Sequence, residues 1–174
     1  MQEEQYKQIL KQYGSEVMAF IKRLVPQQCD AEELTQDTFI KAFRSIHSYD
    51  SSRAPMKHWL FGIAYHEALM HLRRQKSQTY YLEYDERQLS MVSDDEADHV
   101  LSEMKEQRIR SLEEAVKKLS PEDQTLLHLY YSDGMRLRQI TEIMDHDAAY
   151  LATRLQRIRK KLCLMIKTME YGDE

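Results

Sequence analysis

The sequence contains few residues that cross-link or interrupt a chain. Among its 174 residues are four glycines, three prolines and two cysteines. Cys29 and Cys163 lie far apart and form no CxxC pair, so neither a disulfide framework nor a zinc site is indicated, and a reducing compartment is expected. The scarcity of turn formers, together with the lack of long β-branched runs, predicts an almost wholly helical protein.

Long apolar runs and catalytic motifs are also missing. No apolar stretch is long enough to span a bilayer, and the N-terminal residues lack the basic-then-apolar order of a signal peptide, which predicts a cytoplasmic protein without membrane insertion. The chain has no glycine-rich phosphate loop, and its seven histidines form no ligand pattern with carboxylates or cysteines. We therefore expect no enzymatic activity of its own, no metal and no cofactor.

The net charge of −4 is unevenly distributed along the chain. Residues 77–106 hold nine acidic and two basic side chains, whereas residues 148–168 hold six basic and no acidic ones. This pattern predicts an all-α protein with two small helical domains, 1–76 and 107–174, joined by an acidic linker, 77–106. The ordinary interpretation of such a linker is a solvated, poorly ordered segment.

A charged stripe runs along the helix that Asp30 is predicted to cap. One side of this helix is apolar and would face a core, with Phe39, Ala42 and Phe43 among its members. The charged stripe on the opposite side consists of Glu33, Gln36, Asp37, Ile40 and Arg44. A solvated face would be ordinary, but a branched apolar residue at its centre favours a protein contact surface.

A polar loop, residues 48–54, separates this helix from the next, which runs from about Pro55 to Lys76 and is apolar on two sides. Such a helix lies in the middle of a bundle. In and beside the loop, stacking and hydrogen-bonding side chains occur together, as an unstacked nucleic-acid base requires. We call them the loop set: Tyr49, Ser51, Ser52, Arg53 and Trp59. For Trp59, core filling is the alternative.

The second half has the outline of a helix-turn-helix. After Gly134 the sequence predicts a short helix over 137–144, a three-residue turn and a longer helix that begins at Asp147. On the long helix, arginine and glutamine can read guanine and adenine edges, and cations at the margins can meet phosphates. We call these residues the recognition set: Ala149, Thr153, Arg154, Gln156, Arg157, Lys160 and Lys161. A basic amphipathic helix that is merely solvated is the alternative.

Two stretches resemble one family. The run AEELTQDTFIKAF, the loop and WLFGIAYHEALMHLRR are similar to region 2 of bacterial sigma factors, and LSPEDQTLLHLYYSDGMRLRQITEIM with TRLQRIRKKL is similar to their region 4. With these two regions alone, the chain resembles the small extracytoplasmic-function (ECF) group. It departs from the family at Gly62, Tyr65 and His66, where arginine, arginine and asparagine are commoner. It also departs at Asp145 and Asp147, where a small residue and proline are common.

The resemblance implies binding to core RNA polymerase, through its β′ clamp and β flap, to promoter DNA and to an anti-sigma factor. The charged stripe would then contact the polymerase, the loop set would take a base of the −10 element, and the recognition set would read the −35 element. The acidic linker would thread the polymerase near the path of RNA. The alternative is a sigma-like interaction protein that binds polymerase or a regulator with little DNA readout.

Overall fold

The computed structural model describes residues 2–75 and 106–171, and these ranges contain helices and no strand. The all-α prediction is confirmed. The predicted linker lies outside the described residues except for its last position. In chain order the elements are α1 (Gln2–Leu24), α2 (Gln28–Arg44), a 3₁₀ turn (Ile46–Ser48), α3 (Met56–Gln75), α4 (Glu106–Lys117), α5 (Pro121–Leu127), a π-helical turn (His128–Ser132), α6 (Leu137–Met144) and α7 (Ala148–Tyr171).

The described residues form two compact units. Unit 1 contains residues 2–75 and 135–147, and unit 2 contains residues 106–134 and 148–171. The segment 135–147, which carries α6, thus groups with the N-terminal helices, although the sequence assigned it to the second domain. The helix-turn-helix and the boundaries at 76 and 106 stay predictions.

In unit 1, helix α3 occupies the central position that its two apolar sides predict. It packs against α1, α2 and α6, while α1 and α2 also pack on each other. The rings of Phe20 and Phe61 stack with their centroids 4.5 Å apart, and Tyr65 and Leu60 are fully buried. Each large apolar side chain removed from water contributes about 1.5–3 kcal/mol, so this core holds the three helices in fixed positions.

Two expectations for α2 were wrong. Phe43 was expected in the core, yet it is 42% exposed and meets Tyr6 edge-on at 5.1 Å between centroids. It lies at the margin of the apolar arc, whose centre is filled by other residues. Asp30 does not cap the helix, because α2 begins at Gln28. Its carboxylate instead lies 3.2 Å from the imidazole Nε2 of His71 on α3.

In unit 2, helices α4 and α5 pack against α7. The start of α5 follows from its sequence: Ser120 is the N-cap and its hydroxyl accepts a hydrogen bond from the Asp123 N–H (3.2 Å), while Pro121 occupies the first turn. At the other end of this region, Gly134 has a φ of 63°, a left-handed conformation that glycine adopts without strain.

Candidate nucleic-acid interface

The loop before α3 is held by hydrogen bonds to one residue. The carboxylate of Asp50 accepts from the Ser52 N–H (2.8 Å) and from the Ser52 hydroxyl (2.7 Å). Its carbonyl accepts from the N–H groups of Arg53 and Ala54, at 3.2 and 3.4 Å. The Ser52 hydroxyl and N–H stabilise the ionised carboxylate and lower the pKa of Asp50 below 3.8. The loop is therefore a preformed turn.

Three members of the loop set meet around one cavity. Tyr49 and Trp59 lie with ring centroids 5.3 Å apart and planes inclined by 48°. Both are half-buried. Together with Arg53 they line a cavity of about 800 Å³, within the size range of small-ligand sites. Trp59 is thus not purely core filling, whereas Ser51 and Ser52 are exposed outside the lining.

The other side of this cavity is lined by residues that the sequence did not predict. They come from α2, from the middle of α3, and from α6 and the turn after it: Lys41, Gly62, His66, Glu67, Thr141, Glu142, Asp145, His146 and Asp147. A carboxylate oxygen of Glu142 lies 3.6 Å from the guanidinium of Arg53. No pattern within the loop itself indicates these neighbours. The departures from the family at Gly62, Asp145 and Asp147 were the available signal.

The charged stripe lies on an open face of α2. Glu33, Gln36 and Arg44 are exposed, and Asp37 is half-buried. Ile40 is 43% exposed. An apolar side chain surrounded by charged ones suits the centre of a protein contact better than a purely solvated face.

The outer face of α7 carries four exposed members of the recognition set. Ala149, Thr153, Gln156 and Arg157 are exposed, whereas Leu155 and Ile158 on the opposite face are buried. The remaining lysines of the set are half-buried: Lys160 and Lys161. Gln156 and Arg157 are adjacent and project to solvent, which is the placement that contact with base edges requires.

Arg154 differs from the rest of the recognition set because it is engaged within unit 2. Its side chain is 16% exposed, and it donates to Asp123 Oδ1 (2.7 Å) and Glu122 Oε2 (3.0 Å), both in the first turn of α5. Burial alone would lower the pKa of Arg154. Asp123 and Glu122 accept hydrogen bonds from the guanidinium and carry negative charge, and these two effects outweigh burial and raise the pKa above its ordinary value. The guanidinium ties α7 to α5, a contact that periodicity along α7 cannot reveal.

Two kinds of feature are absent from residues 2–75 and 106–171, a metal centre and a membrane-spanning helix. Within residues 2–75 and 106–171, histidine, cysteine, aspartate and glutamate side chains form no group of three able to hold a metal ion. No helix in the same ranges combines the length and apolar character needed to cross a bilayer.

Comparison with known proteins gives one family. Residues 9–78 match the family model of sigma-70 region 2. The ECF RNA polymerase sigma factor SigW of Bacillus subtilis is 28% identical over 156 residues, covering 86% of this chain and 82% of SigW. Its relative SigM of the same organism is 25% identical over 165 residues, 89% of this chain and 91% of SigM. Both relatives are ECF sigma factors, and each is similar to this chain over more than four-fifths of its length.

The fold of this chain agrees with a solved structure. The sigma factor RpoE of Bartonella quintana, in complex with the anti-sigma factor NepR, superposes with a TM-score of 0.61 at 21% identity, over 94% of this chain and 97% of that one. The relatives are sigma factors, a class of protein that acts in transcription initiation. The region 2 match contains the charged stripe and the loop set, while the recognition set lies beyond it.

Proposed function

We propose that this chain is a sigma factor that binds core RNA polymerase and directs it to promoters by recognising a −10 and a −35 element. The observation that carries the proposal is the half-buried Tyr49–Trp59 pair, which lines a cavity with Arg53 beside a preformed turn. A base lifted out of the opened strand would stack on the rings, and the guanidinium would meet a phosphate or a base edge. Ser51 and Ser52 would contact the strand at the rim.

Recognition of the −35 element would use the exposed face of α7. Gln156 and Arg157 project from the side opposite the buried Leu155, so both can reach base edges in a major groove. Lys160 and Lys161 at the margin would contact phosphates, which adds affinity without sequence information. Arg154 would reach DNA only by leaving Asp123 and Glu122.

The charged stripe is the proposed polymerase contact, on the β′ clamp, and unit 2 would contact the β flap. Asp37→Arg or Ile40→Asp should strongly weaken binding of core enzyme while leaving helix content and melting temperature nearly unchanged, because these side chains lie on the open face of α2. Glu32→Arg is the matched control, since Glu32 is exposed on α2 outside the stripe. Unchanged pull-down by both stripe variants would rule out this interface.

The family supports two further parts of the proposal. The RpoE structure contains the anti-sigma factor NepR, and we propose that this chain likewise binds an anti-sigma factor, which would compete with polymerase. Since its polymerase partner works in the cytoplasm, the sigma factor would act there as well.

The deciding experiment is in vitro transcription with added core enzyme from a library of templates randomised upstream of a fixed start. Enrichment of templates that share two separated sequence blocks is the expected result. Arg53→Ala and Arg157→Ala should each relax one block only. A transcript set without any enriched block would contradict promoter recognition.

One set of observations favours a second candidate, an interaction protein with little DNA readout. Glu142, Asp145 and Asp147 bring carboxylates to the loop cavity, and Arg154 is already paired. In that case the chain would bind core enzyme in the pull-down yet yield no enriched templates, so the two experiments together separate the candidates.

A further inference from the structure

Tyr150 is an exposed aromatic residue of α7 that the recognition set does not contain. It lies in the first turn of the helix and is 44% exposed, whereas its neighbour Leu151 is fully buried. Positions 150, 154, 157 and 161 follow the i, i+4, i+7, i+11 spacing of one helix side. Tyr150 therefore stands in line with Arg157, two turns nearer the start of α7.

The Arg154 guanidinium holds Tyr150 in place. Its Nε donates to Asp123 Oδ1 (2.7 Å) and its Nη2 to Glu122 Oε2 (3.0 Å), both in the first turn of α5. The third nitrogen, Nη1, donates to the hydroxyl oxygen of Tyr150 (3.3 Å), and the guanidinium carbon lies 6.0 Å from the centroid of the ring. Because α5 supplies both carboxylates, the direction of the Tyr150 side chain is set partly from outside α7.

The contact with Arg154 decides which part of Tyr150 is offered to DNA. The polar tip of the side chain is directed to the guanidinium, so the surface that remains for an outside partner is the apolar ring. When a helix-turn-helix docks, the first residues of the recognition helix contact base edges in the major groove. The apolar group that bases display there is the C5-methyl of thymine. A ring at this position therefore suits thymine better than any other base.

We propose that Tyr150 is a further specificity-determining residue, whose ring contacts the methyl group of a thymine in the −35 element, and that Arg154 is the positioning residue that holds the ring. The inference rests on the proposed recognition of the −35 element by α7. It gives Arg154 a role in DNA recognition without contact to DNA, since its three guanidinium nitrogens already donate within unit 2.

The methyl group can be removed from DNA without changing base pairing, because uracil is thymine without its C5-methyl. Holoenzyme containing the full-length chain first selects duplexes from a −35 library, and each thymine of the selected sequence is then replaced singly by uracil. The wild type should lose about fourfold in affinity at one thymine, the effect of one buried methyl group. Tyr150→Ala should bind the thymine and uracil duplexes equally. Tyr131→Ala is the matched control and should keep the fourfold ratio, since Tyr131 is 54% exposed in unit 2 but lies outside α7.

Two conservative variants test the positioning role. Tyr150→Phe keeps the ring without the hydroxyl, and Arg154→Lys keeps a cation beside the carboxylates without the Nη1 donor. Each should lower the thymine-to-uracil ratio to about twofold, and the double variant should lower it no further, because both changes remove the same hydrogen bond. The ratio is taken within one variant, so a general loss of stability, which weakens binding to both duplexes alike, does not change it. Circular dichroism verifies the helix content of each variant.

The outcomes separate this inference from the function on which it rests. An enriched −35 block in which no thymine responds to uracil would overturn the thymine contact and leave −35 recognition standing, as would a fourfold ratio retained in Tyr150→Ala. A full ratio in Arg154→Lys, with the ratio lost in Tyr150→Ala, would overturn the positioning role of Arg154. If no −35 block is enriched at all, the proposed reading of DNA by α7 is wrong and the thymine contact is wrong with it.

Discussion

The two surfaces proposed to contact DNA are built in different ways. On α7, Gln156 and Arg157 face solvent and Leu155 and Ile158 are buried within one continuous helix, so their orientation follows from a repeat of 3.6 residues. The cavity beside the loop is lined by residues from 41 to 67 and again from 141 to 147. A helix face is a local property of sequence, whereas a cavity depends on which distant segments pack together.

The largest expected effect separates two arginines of α7, Arg157 on the exposed arc of the helical pattern and Arg154 at its margin. Arg154→Ala leaves Asp123 and the adjacent Glu122 without their shared cation in a half-buried site, which should lower the free energy of unfolding by about 2–3 kcal/mol. Arg157 lies about one helical turn after Arg154 and is exposed, so Arg157→Ala should change the free energy of unfolding by less than about 0.5 kcal/mol. Urea unfolding followed by circular dichroism measures both. Equal midpoints would mean that the Arg154 contacts contribute no net stability.

The next prediction concerns DNA rather than stability. Arg157→Ala should remove about 1–3 kcal/mol of discrimination at one or two −35 positions. Lys161→Ala should instead weaken binding to all sequences and reduce the log–log salt slope by about one unit. Holoenzyme binding to a −35 library at two salt concentrations provides the measurement. Equal, sequence-blind losses in both variants would indicate that α7 holds DNA without reading it.

A smaller effect is expected at the end of α6. Asp145 adopts the left-handed conformation that disfavours most side chains, so Asp145→Gly should raise the free energy of unfolding by about 0.5 kcal/mol after the extra chain entropy of glycine is subtracted. Asp145→Asn is the control, because it removes the charge and keeps a side chain that tolerates this conformation. Thermal unfolding distinguishes them. If Asp145→Asn raised the free energy of unfolding as much as Asp145→Gly, the gain would come from removing the charge and not from the backbone conformation.

The smallest effect concerns the preformed turn. Ser52→Ala removes the hydroxyl donor to Asp50 and should move the pKa of that carboxyl upward, toward 3.8. Because the folded-state pKa is lowered, the turn gains stability from this contact above pH 3.8 and loses it as the pH falls through the folded-state value. Carboxyl NMR titration of the variant gives the shift. Ser51→Ala, at the exposed neighbour, should leave the titration unchanged.

The sequence predicted the helical class, the order of the helices and most helix faces, because these depend on spacing within single segments. It placed Ile40 on an open face and Gln156 and Arg157 opposite the buried residues of α7. It missed the inward turn of Arg154, since the acidic pair that attracts it lies more than thirty residues away. It also missed the packing of α6 on α3, which depends on the absence of a side chain at Gly62. The functional roles assigned to the stripe, the loop set and the recognition set stay predictions.

Unit 1 is formed by two segments that lie far apart in the chain, and this affects how it folds during translation. Residues 2–75 leave the ribosome long before residues 135–147, so α3 must fold with the face around Gly62 uncovered until most of the chain has emerged. A nascent chain that ends near Gly134 would therefore present the loop cavity without its acidic wall. During translation, the N-terminal helices would pass through a stage in which the loop is more accessible than in the finished protein.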